Sequence, residues 1–255
     1  MNQPAATAAQ NLRVATYNIH KGVQGIGPAR RLEIHNLGHA IEQLDADIVC
    51  LQEVRKMNRQ AATRFAHWPE LPQADFLAPE GYTAVYETNA VTRHGEHGNA
   101  LLTRWPVLRT SHQDISDHRF EQRGLLHVVI DVEGRRVHAI VVHLGLIRGS
   151  RVRQVARLRE FIDREVPPDE AVVVAGDFND WGARMRYAMN AMGLRDTSDL
   201  RGARTLTYPS RLPVAQLDFV YGRRLEPQAC TVPRGPIWAR MSDHLPLVAD
   251  FTLLN

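Results

Sequence analysis

The stretch "VVVAGDFND" (172–180) runs from small and apolar residues directly into an acid, an amide and a second acid. In an extended segment residues i and i+2 share a face, so Asp177 and Asn179 would project together while Phe178 points back to the core. A turn would also use Asp and Asn, and Gly176 would let the backbone bend. The stretch alone therefore leaves a polar site and a simple turn as alternatives.

Similar polar residues stand at the ends of other apolar segments. They are Asn18 and His20 in "TYNIH", Glu53 in "LQEV", His143 in "VVHLG", Asp218 in "LDFVY", and Asp243 and His244 in "SDHLP". Taken singly, His143 could be a core histidine and Asp218 a surface strand residue. A buried carboxylate, however, is costly unless it is paired, hydrogen-bonded or bound to a cation. Because carboxylate and amide oxygens suit Mg²⁺ or Mn²⁺ better than zinc, the set predicts a shared hard-metal site.

Other catalytic constellations fit the sequence less well. The chain has no G-x-S-x-G motif, and the adjacent residues Ser242, Asp243 and His244 are badly placed for a serine triad. "HGEH" (94–97) lacks the spacing of the zinc-binding H-E-x-x-H motif, and the sequence contains neither a Walker A loop nor a dinucleotide fingerprint. Metal-assisted chemistry therefore stays the leading hypothesis.

The composition, with 44% hydrophobic and 23% charged residues, is typical of a soluble globular protein. Two cysteines, Cys50 and Cys230, support neither a disulfide framework nor a zinc site. No apolar run approaches the ~20 residues of a membrane span, and "MNQPAATAAQ" lacks the basic and apolar regions of a secretory signal. We therefore predict a cytoplasmic protein, with peripheral association with a membrane left open.

The charge is mildly basic, with a net charge of +3 and 31 lysines plus arginines, of which only Lys21 and Lys56 are lysines. Codon bias is one explanation of this preference for arginine. The other is that the guanidinium fork suits phosphate oxygens. Charge alone does not choose between nucleic acid, a lipid headgroup and no anionic partner.

Apolar segments of strand length recur along the chain, many rich in Val and Ile on both faces, and "DVEGRR" (131–136) predicts a hairpin turn. Helical periodicity lies between them, at 34–44, at 150–166 with Ser150 as N-cap, and at 183–192. The stretches 63–80 and 89–98 resemble surface loops. We expect a mixed-sheet α/β sandwich in one domain, residues 12–255, after a flexible lead-in, residues 1–11.

Five motifs together carry a family resemblance. "TYNIH", "LQE", "GDFN", "LDFVY" and "SDHLP", in that order, resemble the motifs of the endonuclease/exonuclease/phosphatase superfamily, which has the fold of DNase I. The resemblance extends over residues 12–253. It implies a four-layer αββα sandwich of two mixed sheets flanked by helices. It also implies attack of water on a phosphate ester with Mg²⁺ as cofactor and Mn²⁺ as a substitute.

The resemblance also implies roles for residues around the metal. Glu53 matches the main metal-binding glutamate of the family, and Asn18 and Asp243 match its polar neighbours. His20, on the same strand end as Asn18, is a candidate for substrate contact or for support of the metal ligands.

For the chemical step, the resemblance implies that Asp177 and Asn179 position the attacking water and the scissile phosphate. Asp218 matches the aspartate that orients a histidine, which is His244 here. This pair could act as the base, or it could stay charged and bind phosphate while Asp177 is the base. His143 matches a histidine of DNase-I-like nucleases, neutral sphingomyelinases and inositol-polyphosphate phosphatases, and could be a general acid or a phosphate donor.

Three further residues are substrate candidates. "GNALLTRWP" (98–106) resembles a strand of the bacterial sphingomyelinase-like and phosphodiesterase-like branch and singles out Asn99. Arg148 and Arg153, in "HLGLIRGSRVRQ" (143–154), could reach a substrate phosphate or face solvent on a helix.

The substrate stays open at this level. We favour a phosphodiesterase or phosphatase that acts on a lipid headgroup or a small phosphate ester. A DNA or RNA nuclease is the alternative that the basic charge favours. A non-catalytic phosphate-binding protein on the same fold is the alternative of another class, which the full set of acids and imidazoles disfavours. The sequence makes no prediction about the oligomeric state.

Overall fold

The fold was obtained as a computed structural model, which describes residues 10–25, 27–201 and 205–254. Residues 1–9, most of the predicted lead-in, lie outside the described residues, and Asn11 opens the first strand. The strands are β1 (Asn11–Asn18), β2 (Val23–Gln24), β3 (Arg31–Leu32), β4 (Ile48–Val54), β5 (Thr83–Thr92), β6 (Gly95–Thr103), β7 (Val107–Asp114), β8 (Gly124–Val132), β9 (Arg135–His143), β10 (Ala171–Asp177), β11 (Arg195–Asp196), β12 (Asp218–Arg223), β13 (Leu225–Thr231) and β14 (Leu247–Leu253). The helices are α1 (Ile34–Leu44), α2 (Arg59–Arg64), α3 (Gln73–Leu77), α4 (Arg148–Glu165), α5 (Arg186–Asn190) and α6 (Trp238–Met241), with 3₁₀ turns at His20–Gly22, Gly27–Ala29 and Thr197–Arg201.

Two six-stranded mixed sheets form the centre of the molecule. The first has the order β13-β14-β1-β4-β6-β5 and the second the order β11-β12-β10-β9-β8-β7. Each sheet contains one parallel pair in its middle, β1 with β4 and β9 with β10, and its other neighbours are antiparallel. Because the carboxyl ends of parallel strands meet at one edge, both sheets present two strand ends at an edge.

Successive side chains of each strand point to opposite faces of its sheet, and this alternation produces the four layers. In β10, Val173 and Ala175 pack between the two sheets, whereas Val172 and Val174 pack under α4 with Leu158. On the other side, Ile34, Leu37 and Ile41 of α1 cover the first sheet. The predicted four-layer αββα sandwich is therefore confirmed.

The helix predictions hold with adjusted boundaries. Helix α1 spans 34–44 as its apolar spacing indicates, and the helix expected at 183–192 shortens to α5, with Met189 buried. Ser150 was expected to cap α4, but it lies inside the first turn. Its hydroxyl donates to Asp117 at 2.7 Å, so a tertiary contact replaces the cap.

The predicted hairpin turn is confirmed, the loop predicted at 89–98 is wrong, and the loop predicted at 63–80 is correct only in part, for 65–72 and 78–80. Glu133 and Gly134 have positive φ angles of 52° and 82° and join β8 to β9. Residues 89–98 are largely the tip of a long β5–β6 hairpin, and 63–80 contains α3, whose Leu77 is buried. The hairpin tip has polar residues on both faces, so it lacks the alternation that marks a half-buried strand.

Candidate active site

The predicted polar residues meet where the two sheets present their parallel strand ends. Asn18 ends β1 and Glu53 lies at the end of β4, while His143 ends β9 and Asp177 ends β10. The side-chain amide of Asn18 donates to Asp177 Oδ2 at 3.1 Å, which ties the first sheet to the second. The structure therefore brings these four residues together at one edge of the sandwich.

Asp177 is the centre of this cluster and is buried. It pairs with His143 on β9 and with Asp218 on β12 in the sheet register. Its Oδ2 atom lies 3.6 Å from Nε2 of His143 and 3.7 Å from Nε2 of His244. These distances are slightly long for hydrogen bonds, so the carboxylate faces both imidazoles without being bonded to either.

Asp218 and His244 form a buried hydrogen-bonded pair. Nδ1 of His244 lies 2.8 Å from Asp218 Oδ2, and the Thr207 hydroxyl donates to the same oxygen at 2.6 Å. Together with Asp177, the pair contributes three ligand-type atoms within 4.8 Å of one another. The Nδ1 contact orients the ring so that Nε2 faces Asp177.

Asn179 has features of both alternatives that its motif allows, a polar site and a turn. Phe178 points into the core, as predicted for an extended segment, but β10 ends at Asp177 and Asn179 has φ of 49°. The backbone N–H of Asn179 donates to Asp177 Oδ1 at 2.9 Å, and its side-chain amide donates to the carbonyl of Leu144 at 2.9 Å. The turn thus fixes the carboxylate of Asp177.

Next to Asp177 lie the residues that were predicted to hold the metal. Glu53 lies within a register shift of the β4–β6 pairing, between Leu51 and Val54, and has φ of 58°, which turns its side chain toward the site. Its carboxylate contacts the ammonium of Lys21 at 2.8 Å. Nδ1 of His20 lies 3.1 Å from Asp243 Oδ1, and the backbone N–H of His20 donates to the Asn18 side chain.

Both metal-side carboxyl groups are held in the charged form. Burial by itself would raise the pKa of Glu53, but the ammonium of Lys21 and the imidazoles of His143 and His20 outweigh it, and the pKa lies below its usual range. Burial also opposes ionisation of Asp243, yet its contacts with His20 and His244 lower the pKa below the usual value. Two anionic oxygen donors beside the Asn18 amide match the preference of Mg²⁺.

Asp177 and the two imidazoles that face it titrate differently. Burial raises the pKa of Asp177 to about 7, although the charge of His244 acts against it. Burial would lower the pKa of His244, but the carboxylates of Asp218 and Asp177 outweigh it and raise the pKa to about 10. Burial and the guanidinium of Arg123 lower the pKa of His143 well below its ordinary value. At neutral pH the site therefore contains an imidazolium, a neutral imidazole and a carboxyl that can gain or lose a proton.

Two of the three tentative substrate residues are engaged in contacts within the fold. Asn99 is buried between the sheets, where its amide donates to the carbonyls of Gly124 at 3.0 Å and Val141 at 3.3 Å. The guanidinium of Arg153 binds Asp117 through two contacts of 2.5 and 2.7 Å. Arg148 is exposed at the first turn of α4.

Two residues of the site escaped sequence reasoning. Lys21 follows His20 in "NIHKG" and is one of the chain's two lysines, which was an available signal for its contact with Glu53. Thr207 gave no comparable signal, because it lies outside the motifs and reaches Asp218 only through the fold.

Comparison with known proteins then places the chain. The sequence profile described as "Endonuclease/Exonuclease/phosphatase family" matches residues 15–244. The chain belongs to this family. Members of the endonuclease/exonuclease/phosphatase family are generally hydrolases that act on phosphoester bonds.

Individual relatives agree with this placement. The chain is 35% identical to the uncharacterized protein YbhP of Escherichia coli (strain K12), over 98% of this chain and 100% of YbhP. It is 31% identical to sphingomyelinase C of Leptospira interrogans over 111 residues, which are 37% of this chain and 19% of that protein. The crystal structure of the endonuclease/exonuclease/phosphatase from Bacteroides vulgatus has a TM-score of 0.75 at 19% identity and covers 96% of this chain and 99% of that chain.

Proposed function

We propose that the protein is a Mg²⁺-dependent phosphodiesterase in which Asp177 is the general base. The observation that carries this proposal is the position of one buried carboxyl, with a pKa of about 7, between two imidazoles of opposite protonation state. A base is most effective when its pKa lies near the working pH. Perturbed groups of this kind concentrate at catalytic sites.

Glu53, Asp243 and Asn18 would hold the divalent cation. Their donors are two carboxylates and an amide, and the low pKa values of Glu53 and Asp243 mean that protons do not compete for them at neutral pH. When bound there, Mg²⁺ or Mn²⁺ would neutralise negative charge on the phosphate. The Lys21 ammonium, 2.8 Å from Glu53, shows that this position already accommodates a positive charge.

The remaining residues bind, orient and move protons. Oδ2 of Asp177 takes a proton from water, while the N–H of Asn179 donates to Oδ1 and holds the carboxylate in place. Nε2 of His244, on an imidazolium anchored by Asp218, donates to a phosphate oxygen. The ring of His143 is neutral and faces the same space. It donates a hydrogen bond to the phosphate without adding a positive charge to the site. Of the two bases that the sequence allows, this arrangement favours Asp177.

Among substrates we favour a phosphodiester of the lipid-headgroup class. The similarity over 111 residues to a protein named sphingomyelinase C supports this choice. A nuclease is the competing assignment, and it predicts nicking of plasmid DNA with a steep dependence on salt.

The direct test is hydrolysis of a chromogenic phosphodiester in Mg²⁺ and in EDTA by the wild type and by Asp177→Asn. We expect activity that EDTA abolishes and a loss of about 10²–10⁴-fold in the variant, the range for removal of a general base. Asp250→Asn, on β14 opposite Arg13 near the far end of β1, is the matched control, since it also removes one aspartate charge beside a basic partner. Full activity in EDTA, or a variant within about threefold of wild type, would contradict the proposal.

A further inference from the structure

Large apolar side chains are exposed on the loops that surround the candidate active site. Phe120 is 82% exposed, Leu212 73% and Trp181 59%. The loops adjoin the strand ends of the second sheet that carry His143, Asp177 and Asp218. The full set of exposed apolar residues on these loops is Phe120, Leu146, Ile147, Trp181, Leu212 and Val214.

The first group, which we call the Trp181 rim, comprises Trp181, Tyr208, Leu212 and Val214. The Trp181 ring packs edge-on against Tyr208 with centroids 5.7 Å apart, and Tyr208 in turn lies 4.9 Å from the His244 ring. The backbone N–H of Val214 donates to the carbonyl of Tyr208 at 2.9 Å, which holds the two sides of this loop together. An exposed apolar surface thus begins one aromatic ring away from His244.

The second group, which we call the Phe120 rim, comprises Phe120, Leu146 and Ile147. Leu146 and Ile147 follow His143 by three and four residues. The backbone N–H of Leu146 donates to Glu121 Oε1 at 3.0 Å, so the loop that carries Phe120 is bound to theirs. In the second sheet β10 lies between β9 and β12, and the two rims therefore flank Asp177 on opposite sides.

The exposed charges on these loops are positive. They are Arg119, Arg184 and Arg211, together with Arg148 at the start of α4, and within the described parts of the chain none of the four has a carboxylate partner. The acids of the same loops are engaged, with Asp117 bound to Arg153 and Glu121 bound to Arg123. Arg119 lies over the Phe120 ring at 4.7 Å, so charge and apolar surface alternate within the rim.

We propose that the two rims dock the protein on an anionic lipid bilayer, with the candidate active site facing the headgroups. Leucine, isoleucine and valine side chains lose contact with water when they enter the acyl boundary, and neighbouring arginines attract anionic headgroups. A nucleic acid would use the arginines but gives the aliphatic side chains no partner, since base stacking needs rings. No helix within the described residues is long and apolar enough to cross a membrane, so docking would be peripheral. The orientation of the active site toward headgroup substrates rests on the proposed function, whereas the docking surface itself rests only on the two rims.

The test is flotation of the full-length protein with vesicles of phosphatidylcholine, with and without phosphatidylglycerol. We expect binding that rises with phosphatidylglycerol. Leu212→Ser/Val214→Ser should weaken the partition coefficient at least about tenfold, since two aliphatic side chains lose their burial. Arg148→Gln/Arg211→Gln should weaken it by about fivefold for each arginine. The matched control is Leu108→Ser/Leu254→Ser, which removes two exposed leucines at the opposite strand ends, one near the start of β7 and one just after β14. Thermal melts of all variants check that each is folded.

Hydrolysis of a soluble phosphodiester by the wild type separates this inference from the proposed function. Hydrolysis without vesicle binding would overturn the docking surface and leave the phosphodiesterase intact. Vesicle binding that the rim serine variant and the glutamine variant weaken, without hydrolysis, would support docking and count against the proposed enzyme. Binding that the serine and control variants weaken equally, or arginine-dependent binding of duplex DNA without vesicle binding, would overturn docking on a bilayer.

Discussion

Replacement of Asp218 by Asn should change the protonation of His244 more than any other conservative substitution. The two side chains meet at 2.8 Å in a buried position, and Asn keeps an oxygen that can accept from Nδ1. Thr207 can still donate to that oxygen. The substitution therefore removes a charge while it retains the shape of the pair.

The size of the effect follows from the geometry. Two unit charges whose centres are about 4 Å apart interact by about 4 kcal/mol at an effective permittivity of about 20. Since one pKa unit corresponds to about 1.4 kcal/mol, loss of the carboxylate should lower the pKa of His244 by about 3 units. The wild-type pKa of about 10 would then fall to near neutrality, where Asp177 is the main remaining counter-charge.

The sign of the stability change is fixed by the same numbers. The folded pKa of His244 lies above the unfolded value of about 6.5, so its stabilising contribution is complete below about pH 6.5 and is lost as the pH rises through about 10. In Asp218→Asn most of that contribution is already absent. The unfolding free energies of wild type and variant should therefore converge by about 4 kcal/mol between neutral pH and alkaline pH.

Histidine Cε1–H NMR of labelled protein, without added metal, measures the pKa directly. A His244→Gln spectrum identifies the resonance, and Asp250→Asn is the control that should leave it unchanged. Urea unfolding at neutral and alkaline pH measures the stability difference. A wild-type His244 that titrates near about 6.5, or an unchanged pKa in Asp218→Asn, would refute the reasoning and with it the assignment of His244 as a phosphate-binding cation.

Two further substitutions test one predicted metal ligand and one residue that supports the fold. Glu53→Gln should weaken Mg²⁺ affinity at least about tenfold by calorimetric titration, because it removes one full charge from the ligand set, and unchanged affinity would exclude Glu53 as a ligand. Asn99→Ala should lower the free energy of unfolding by about 1–3 kcal/mol, since it leaves the buried carbonyls of Gly124 and Val141 without their donor. If the folded Asn99 variant instead keeps full stability and loses activity, Asn99 contacts substrate as the sequence suggested.

The sequence predicted the site best where chemistry and strand periodicity coincide. Apolar runs that end in Asn18, Glu53, His143 and Asp177 required these polar groups to lie at strand ends, and parallel neighbours place such ends at one edge. The family resemblance carried by the ordered motifs then predicted how the strands are arranged into two sheets, which periodicity alone could not predict. The fold and the location of the site were therefore predictable.

The side-chain partners were much less predictable. Arg153 and Asp117 are 36 positions apart in the chain and form an ion pair only because α4 packs beside the loop before β8. Asn99 looks like a site residue in sequence, yet its amide spans the gap between the two sheets. Such contacts depend on distances between elements, and the chain encodes those distances only through the packing of the whole core.

Backbone conformation supports the functional interpretation of the site independently of its charges. His20, Lys21, Glu53 and Asn179 all have positive φ angles, between 45° and 62°. For residues other than glycine this conformation costs on the order of 1–2 kcal/mol each, and among these four asparagine and histidine tolerate it better than lysine and glutamate. Relaxing Glu53 into a regular strand would remove the register shift with β6 and turn its carboxylate away from Lys21 and the imidazoles. Among the described residues, four of the eight non-glycine residues with positive φ lie in this cluster, so the backbone there sets the direction of side chains that the site uses.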